Sequence, residues 1–449
     1  MIFTVPEFPP EIWDRCFRLA DFNDALQARG VSKHFCDLAT KICFERVDVG
    51  WNENRTMTEE LKRLVVGMDL MAKNTHDIAN SVLYLNIYIP SDKYSESFKE
   101  TVASGIRAMI NLLELEIHLP PRQKDMPAKL LGAPTFNRLQ GLTYSGDLTE
   151  QLILFIARHS HTLQKLDVST FVVYAQGQYQ DCLPATEVGS PFTCLQSVRV
   201  PSEVCYMLLH CGIPNVTTFG LQNIPRALSL PEETLRILQE LSCHQSVGQN
   251  LEELTVEGTG YGDWLFDPVS RYFPTIKEIG IGYKTGPVPD HVAHLNELID
   301  TNQVLRSCAQ MPHLTRLDWY YLGSVLKPDD WERGWSFVLE IARINPHLTF
   351  IALPRAWRRI GDNIWIPAHL DLEQTHRFGY EWFMKTIQNR RYCFLDSFLA
   401  LMERDLLAIN HDGPNAKNLQ FIRAFKRKSV LSEEDVFRFL VLAWGLDLL

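Results

Sequence analysis

Short windows recur along the chain in which positions 1, 4 and 6 are apolar and position 5 is mostly polar or small. They begin with Val82-Leu83-Tyr84-Leu85-Asn86-Ile87, then Leu112 with Leu115 and Ile117, Leu139 with Leu142 and Tyr144, and Leu163 with Leu166 and Val168. Leu195 with Val198 and Val200, Val216 with Phe219 and Leu221, and Leu251 with Leu254 and Val256 follow. The series closes with Ile276, Ile279 and Ile281, Leu314, Leu317 and Trp319, and Leu348, Ile351 and Leu353. Such alternation marks a strand with one face buried. Isolated matches are cheap in a chain that is 46% hydrophobic, so two further features matter. Proline stands two residues before the anchor at Pro214, Pro274, Pro312 and Pro346, where it ends a helix and sets an extended approach to the strand. The intervals 147–160, 231–244 and 329–344 read as amphipathic helices, the first with Leu148, Leu152, Phe155 and Ile156 on one face. Anchors run from 82 to 348 at spacings of 21 to 38 residues, about 30 on average, which is repeat spacing. Strands alternating with helices at this interval predict an α/β fold, a solenoid of parallel strands with helices on its convex side.

The ends have a different texture. In residues 8–47, prolines and Glu11 open a first helix on which Ile12, Cys16 and Leu19 share a face; both residue types suit the positive end of the helix dipole. Asn23 is the expected N-cap of a second helix, Gly30 breaks it, and Ser32 caps a third carrying Phe35, Leu38 and Ile42. Three short helices bury too little surface to be secure alone and would profit from a partner. Beyond Pro354 the strand–helix beat fades. A hairpin is expected over 357–367, turning at Gly361-Asp362-Asn363, followed by helices over 372–389, 392–409, 415–426 and 432–446. Ser432 with Asp435 reads as a capping box with Asp in the usual Glu place.

The recurring Leu-x-x-Leu-x-Leu resembles the leucine-rich-repeat family over roughly residues 75–360. The family pattern continues to an Asn or Cys that bonds the turn backbone. Here those positions hold Pro90, Pro120, Asp147, Phe171, Glu203, Ile224, Thr259, Lys284, Leu322 and Ala356, so no regular Asn ladder is expected. Phe8-Pro9-Pro10-Glu11-Ile12-Trp13, Val31-Ser32-Lys33-His34-Phe35 and Phe44-Glu45-Arg46-Val47 together resemble the F-box, with Phe8 in place of the usual leucine. The resemblance implies three domains: an F-box over 6–50, a leucine-rich-repeat-like solenoid over 51–356 and a helical C-terminal cap over 357–449. It implies a substrate-recognition subunit of a cullin-based ubiquitin ligase. Pro9, Pro10, Ile12, Leu26, Val31 and Phe35 would face the Skp adaptor, and the repeats would hold a target protein. A ligase-independent repeat scaffold, its N-terminal helices only capping the solenoid, is the alternative.

Strand alternation locates the expected target surface, since positions 3, 5 and 7 of each window face away from the helices. That surface carries Tyr84, Asn86 and Tyr88, then Glu114, Glu116 and His118, and later Arg316, Asp318 and Tyr320. Arg and Tyr are favoured at interface hot spots, so Tyr84, Tyr88, Arg316, Asp318 and Tyr320 are the candidate target-binding residues.

A net charge of −10 excludes the basic footprint of a nucleic-acid binder and does not suit an anionic membrane. No apolar run has the length to cross a bilayer, and Met1–Glu7 lacks a basic stretch followed by an apolar one, so no secretory leader is expected. The ten cysteines contain no Cys-x-x-Cys pair, which reads as free thiols in the cytoplasm or nucleus. Gly258–Gly262 and Gly280–Gly282 complete no phosphate or dinucleotide pattern and read as turns closing their repeats. His291 and His294 read as a solvated helix face. His159 and His161 fall at a helix C-terminus, where the dipole favours cations. No catalytic signature and no cofactor motif is present; the expectation is a non-catalytic binding protein.

Overall fold

In the computed structural model each of the ten apolar windows forms a strand. The structure describes residues 10–19, 22–49, 57–73, 78–89, 95–120, 125–132, 134–170, 191–222, 231–257, 263–282, 301–320, 330–352, 356–360, 364–368, 377–408 and 414–446. The chain falls into two compact units, residues 1–228 with 240–250 and residues 229–239 with 251–449.

The first unit opens with helices α1 (Pro10–Leu19), α2 (Phe22–Ala28) and α3 (Lys33–Phe44). Asn23 lies inside α2 rather than at its N-cap, a correction to the expected boundary. Ser32 does cap α3, its Oγ accepting from Phe35 N at 3.1 Å. Then come strands β1 (Arg46–Val49), β2 (Tyr84–Tyr88), β3 (Glu114–His118), β4 (Gly141–Gly146), β5 (Lys165–Thr170), β6 (Ser197–Pro201) and β7 (Thr218–Gln222). They lie in chain order, each parallel to the next. Helices α4 (Met57–Ala72), α5 (Ile78–Ser81), α6 (Glu96–Ala108), α7 (Asp125–Leu131), α8 (Glu150–Arg158) and α9 (Ser202–Cys211) fill the intervals. Along that series α4 packs on α6, α6 on α7 and α7 on α8. Position 4 of one window stands beside position 4 of the next: Leu85 by Leu115, Leu115 by Leu142, Leu142 by Leu166, Leu166 by Val198. All are buried, as are Ile87, Ile117, Tyr144 and Val168 at position 6.

Helix α10 (Pro231–Cys243) carries residues of both units, and α11 (Gln245–Asn250) belongs to the first. The second unit has β8 (Glu253–Glu257), β9 (Glu278–Gly282), β10 (Arg316–Tyr320) and β11 (Phe350–Ala352), again parallel and in order. Between them run α12 (Asp263–Tyr272), α13 (Thr301–Ala309) and α14 (Asp330–Ile344), α13 packing on both of its neighbours. Gly280 and Gly282 are strand residues of β9, not a turn, and this overturns their reading as punctuation. A Cβ at Gly280 would come within 3.1 Å of Thr255 Oγ1, so glycine there lets the neighbouring side chain lie against the sheet. The other glycine-rich run, 258–262, and the His291–His294 pair lie outside the described residues.

The expected hairpin forms as β12 (Ala356–Ile360) and β13 (Ile364–Pro367), and it also extends the sheet, β12 pairing antiparallel with β11. Helices α15 (Arg377–Gln388), α16 (Leu395–Ala408), α17 (Pro414–Arg427) and α18 (Glu433–Gly445) follow. An aromatic cluster holds the hairpin to them. Trp335 and Trp382 stand 4.9 Å and 5.3 Å from Trp357, and the Tyr392 hydroxyl donates to Trp365 O. The capping box is present, Asp435 N donating to Ser432 Oγ and Ser432 N to Asp435 Oδ2.

Two features of the repeat escape the apolar pattern. A tight turn precedes several of the strands, closed by the anchor N–H on the carbonyl three residues earlier: Leu112 to Met109, Leu195 to Phe192, Ile276 to Phe273, Leu314 to Met311 and Leu348 to Asn345; at Leu163 the bond reaches back four residues, to His159. Those earlier residues are all buried. Pro274, Pro312 and Pro346 therefore occupy the second position of a turn, which their fixed φ suits, rather than an extended approach. Second, the carbonyl one residue after an anchor accepts two successive N–H groups from the next strand. Leu83 O takes Leu113 N and Glu114 N, Leu113 O takes Gln140 N and Gly141 N, and Lys277 O takes Thr315 N and Arg316 N. Side chains reinforce this junction: Thr315 Oγ1 donates to Lys277 O and Thr349 Oγ1 to Thr315 O, both at 3.1 Å.

Burial sets the energetic contrast. Truncating Leu166, Leu254 or Leu317 to Ala should cost about 2–5 kcal/mol each through the cavity left behind. Lys165→Ala or Glu253→Ala should change stability by less than about 0.5 kcal/mol. Denaturant unfolding of the five variants checks this, and equal tolerance at both classes would contradict the assigned register.

Candidate functional site

The N-terminal helices have a distinct inside and outside. Phe17, Ala25 and Ala39 form a buried centre against which Trp13, Phe35, Leu38 and Ile42 pack. Trp13 and Phe35 meet edge to face at 4.7 Å, and Phe17 and Phe35 at 5.5 Å, a geometry favoured by the ring quadrupoles. The face shared by Ile12, Cys16 and Leu19 points the other way. Ile12 is 46% exposed, Leu19 81% and, in the turn before α3, Val31 64%. Ile12 and Leu19 are two helical turns apart and so share one side of α1.

Among the residues expected to face an adaptor, Ile12 and Val31 are on this outer surface. Phe35 is partly buried in the aromatic centre. Pro10 opens α1 and Leu26 lies in α2, while Pro9 falls outside the described residues. Leu19 was not among the expected contacts, although its seven-residue spacing from Ile12 was the signal that could have found it. The module is also built into the sheet. Arg18 on α1 pairs with Asp14 at 2.9 Å and with Glu45 at 3.1 Å, and Glu45 O accepts from both Leu83 N and Tyr84 N.

The second surface is the outward row of the strands. In the first unit Tyr84 and Tyr88 lie on β2, and Tyr88 is 41% exposed. Its ring stands 6.2 Å from that of His118, whose Nε2 is 2.7 Å from Glu116 Oε1. Further along, Arg199 Nη1 is 3.6 Å from Asp167 Oδ2. Gly220 beside it has no side chain to displace Arg199, whose Cγ would be 2.9 Å from a Cβ there.

In the second unit Arg316 Nε donates to Asp318 Oδ2 at 2.7 Å, and the guanidinium lies 4.4 Å above the Phe350 ring. Tyr320 ends β10. Burial, and then the charge of Glu253, raise the Glu278 carboxyl above its ordinary range. Arg316 and Asp318 are thus brought together as one cluster, and Tyr84 and Tyr88 belong to another.

Among the described residues, no group of three or more His, Cys, Asp or Glu is placed to hold a metal ion. The described cysteines are free thiols, and burial pushes Cys308 up to about 12, which suppresses the reactive thiolate. No helix among the described residues is long and apolar enough to cross a membrane. A scan against protein-family models gave no match, and neither did a search of curated proteins.

The two-sided module separates packing from surface. Phe35→Ala should loosen residues 10–44 by on the order of 2 kcal/mol, because it removes a ring from between Trp13 and Phe17. Val31→Ala should leave stability within about 0.5 kcal/mol. Hydrogen-exchange protection across α1–α3 distinguishes them; equal effects would show that Phe35 is not part of the module's centre.

Proposed function

We propose that the chain is an F-box-type substrate receptor, docking the Skp adaptor of a cullin-based ubiquitin ligase through its N-terminal helices and a target protein through its repeats. The observation that carries this reading is the outer surface of the module. Ile12 and Leu19 on α1 and Val31 in the turn before α3 are exposed apolar side chains of a module whose own centre is already filled by Trp13, Phe17 and Phe35. Ile12 and Val31 fall in the Pro-Pro-Glu-Ile and Val-Ser-Lys-His-Phe segments that resemble the F-box, and Leu19 extends the face of Ile12. An apolar surface that packing does not require is what a partner would cover.

On this reading residues 51–356 are a leucine-rich-repeat-like solenoid and the last four helices its cap, and the protein works in the cytoplasm or nucleus without catalysing a reaction. The target lies on the outward strand row, with Tyr84 and Tyr88 as one anchor cluster and Arg316, Asp318 and Tyr320 as another. The bonds from Arg316 to Asp318 and Phe350 support that choice, because a side chain already ordered loses less entropy on binding.

A ligase-independent scaffold is the second reading, and one observation favours it. Glu45 O, at the end of α3, accepts from Leu83 N and Tyr84 N, so the N-terminal helices are already joined to the sheet where β1 pairs with β2. Co-purification with the Skp adaptor separates the two. Ile12→Asp and Val31→Asp would bury an uncompensated charge in the contact and should weaken the complex on the order of a thousandfold with the fold intact. Adaptor binding equal to that of the parent in both folded variants would exclude the ligase reading.

The target surface is tested separately. Tyr84→Ala with Tyr88→Ala, or Arg316→Ala, should each weaken capture of a partner found by proximity labelling by about tenfold or more. Retention of every partner by all variants would place the target elsewhere on the molecule.

A further inference from the structure

His159 ends α8 where a cation would be favoured, yet it is buried, with 1% of its surface accessible. Its Nε2 accepts from Phe136 N at 2.9 Å and its Nδ1 is 2.7 Å from Phe155 O. A backbone N–H can only donate and a carbonyl only accept, so the ring carries its proton on Nδ1 and is neutral. It lies against the Phe155 ring at 4.3 Å and stacks on Phe136 at 6.0 Å. The preceding residue, Arg158, donates from Nη2 to Leu131 O at 2.7 Å and from Nη1 to Pro134 O at 3.3 Å. Two consecutive side chains thus hold the segment that leads from α7 into β4, Arg158 by its carbonyls and His159 by an N–H.

These two holds respond differently to acid. The guanidinium stays charged at any ordinary pH. A proton on Nε2 would set one N–H against another, leave Phe136 N without its acceptor and place a charge in an apolar site. The titratable groups that bear on the ring are Arg158 and His161, and both disfavour a charge on it. We propose that His159 is a pH-sensitive latch whose protonation frees residues 135–139 ahead of β4 while Arg158 keeps the segment tethered at Pro134.

The sign follows from the same contacts. Burial, followed by Arg158 and His161, lowers the imidazole below its ordinary 6.5 despite the bond to Phe155 O. The unfolded chain therefore takes up the proton more readily. The latch's contribution to stability is complete above about pH 6.5 and declines as pH falls towards the lowered folded value. The effect reaches the outward face, because β4 presents Thr143 and Ser145 beside Glu116 and His118 of β3.

Hydrogen exchange followed by mass spectrometry on the full chain tests the latch. Gln at position 159 has both a carbonyl and an N–H to offer but does not titrate. Protection of residues 135–139, corrected for intrinsic exchange, should fall about tenfold in the parent between about pH 7.5 and pH 5.5 and stay level in His159→Gln. An equal fall in both proteins, or none in the parent, overturns the proposal. If His159→Gln does not fold, the imidazole resonances of the parent decide. One of the 14 histidines must keep its neutral Nδ1–H form below the ordinary range, and titration of all of them near 6.5 would equally overturn it.

Discussion

The structure depends on a carbonyl oxygen used twice. At the start of β2 to β6 and of β8 to β10 the residue after the anchor offers its C=O to two successive N–H groups at the start of the next strand, as Gln140 does to Gln164 and Lys165 and Glu252 does to Lys277 and Glu278. Backbone polar groups beneath helices must find partners, and this junction satisfies two donors where the chain turns from helix to strand. It also fixes register. A slip of one residue would carry Leu115, Leu142 and Leu166 to the outward face and Glu116, Thr143 and Asp167 to the core. Repeats of unequal length are tolerated because this junction recurs within each unit while the segments between strands vary in length.

Fixed register has a second consequence. Since alternate side chains face opposite ways, the outward row is set as soon as the inward row is buried. Side chains on that row are not independent of one another. Arg199 reaches towards Asp167 and lies over Gly220, and Arg316 is held between Asp318 and Phe350. Such pinning favours recognition by a surface that loses little freedom on contact. The exposed Tyr88 beside His118 adds aromatic area of the kind that binding surfaces use.

The N-terminal helices are continuous with this arrangement. Glu45 ends α3, receives Arg18 on its side chain and two N–H groups on its carbonyl, and is followed at once by β1. The apolar surface of α1 and of the turn before α3 is therefore carried on the same framework as the strands of the first unit. In the receptor we propose, that coupling would hold whatever binds Ile12, Leu19 and Val31 in a set relation to β2 and its tyrosines.

By itself the sequence determined the strands. All ten windows, the amphipathic helices of the intervals, the hairpin over 357–367, the Ser32 cap and the Ser432–Asp435 box are legible because each rests on contacts between near neighbours or on a simple period. What it left undetermined are properties of distant segments. Arg46–Val49 becomes a strand only because β2 is there to pair with it, and Gly280–Gly282 are strand rather than turn because β8 and β10 pair with them on either side. The seven-residue spacing of Ile12 and Leu19 shows that they share a face. Only the packing of Trp13 and Phe17 against Phe35 decides that this face is outward. The helix C-terminus suggested a cation at His159, and only the burial of the ring between Phe136 and Phe155 made it neutral. Period and caps are local and can be read along the chain. Pairing, burial and protonation depend on which distant residues fill the space around a group, so tertiary structure alone decides them.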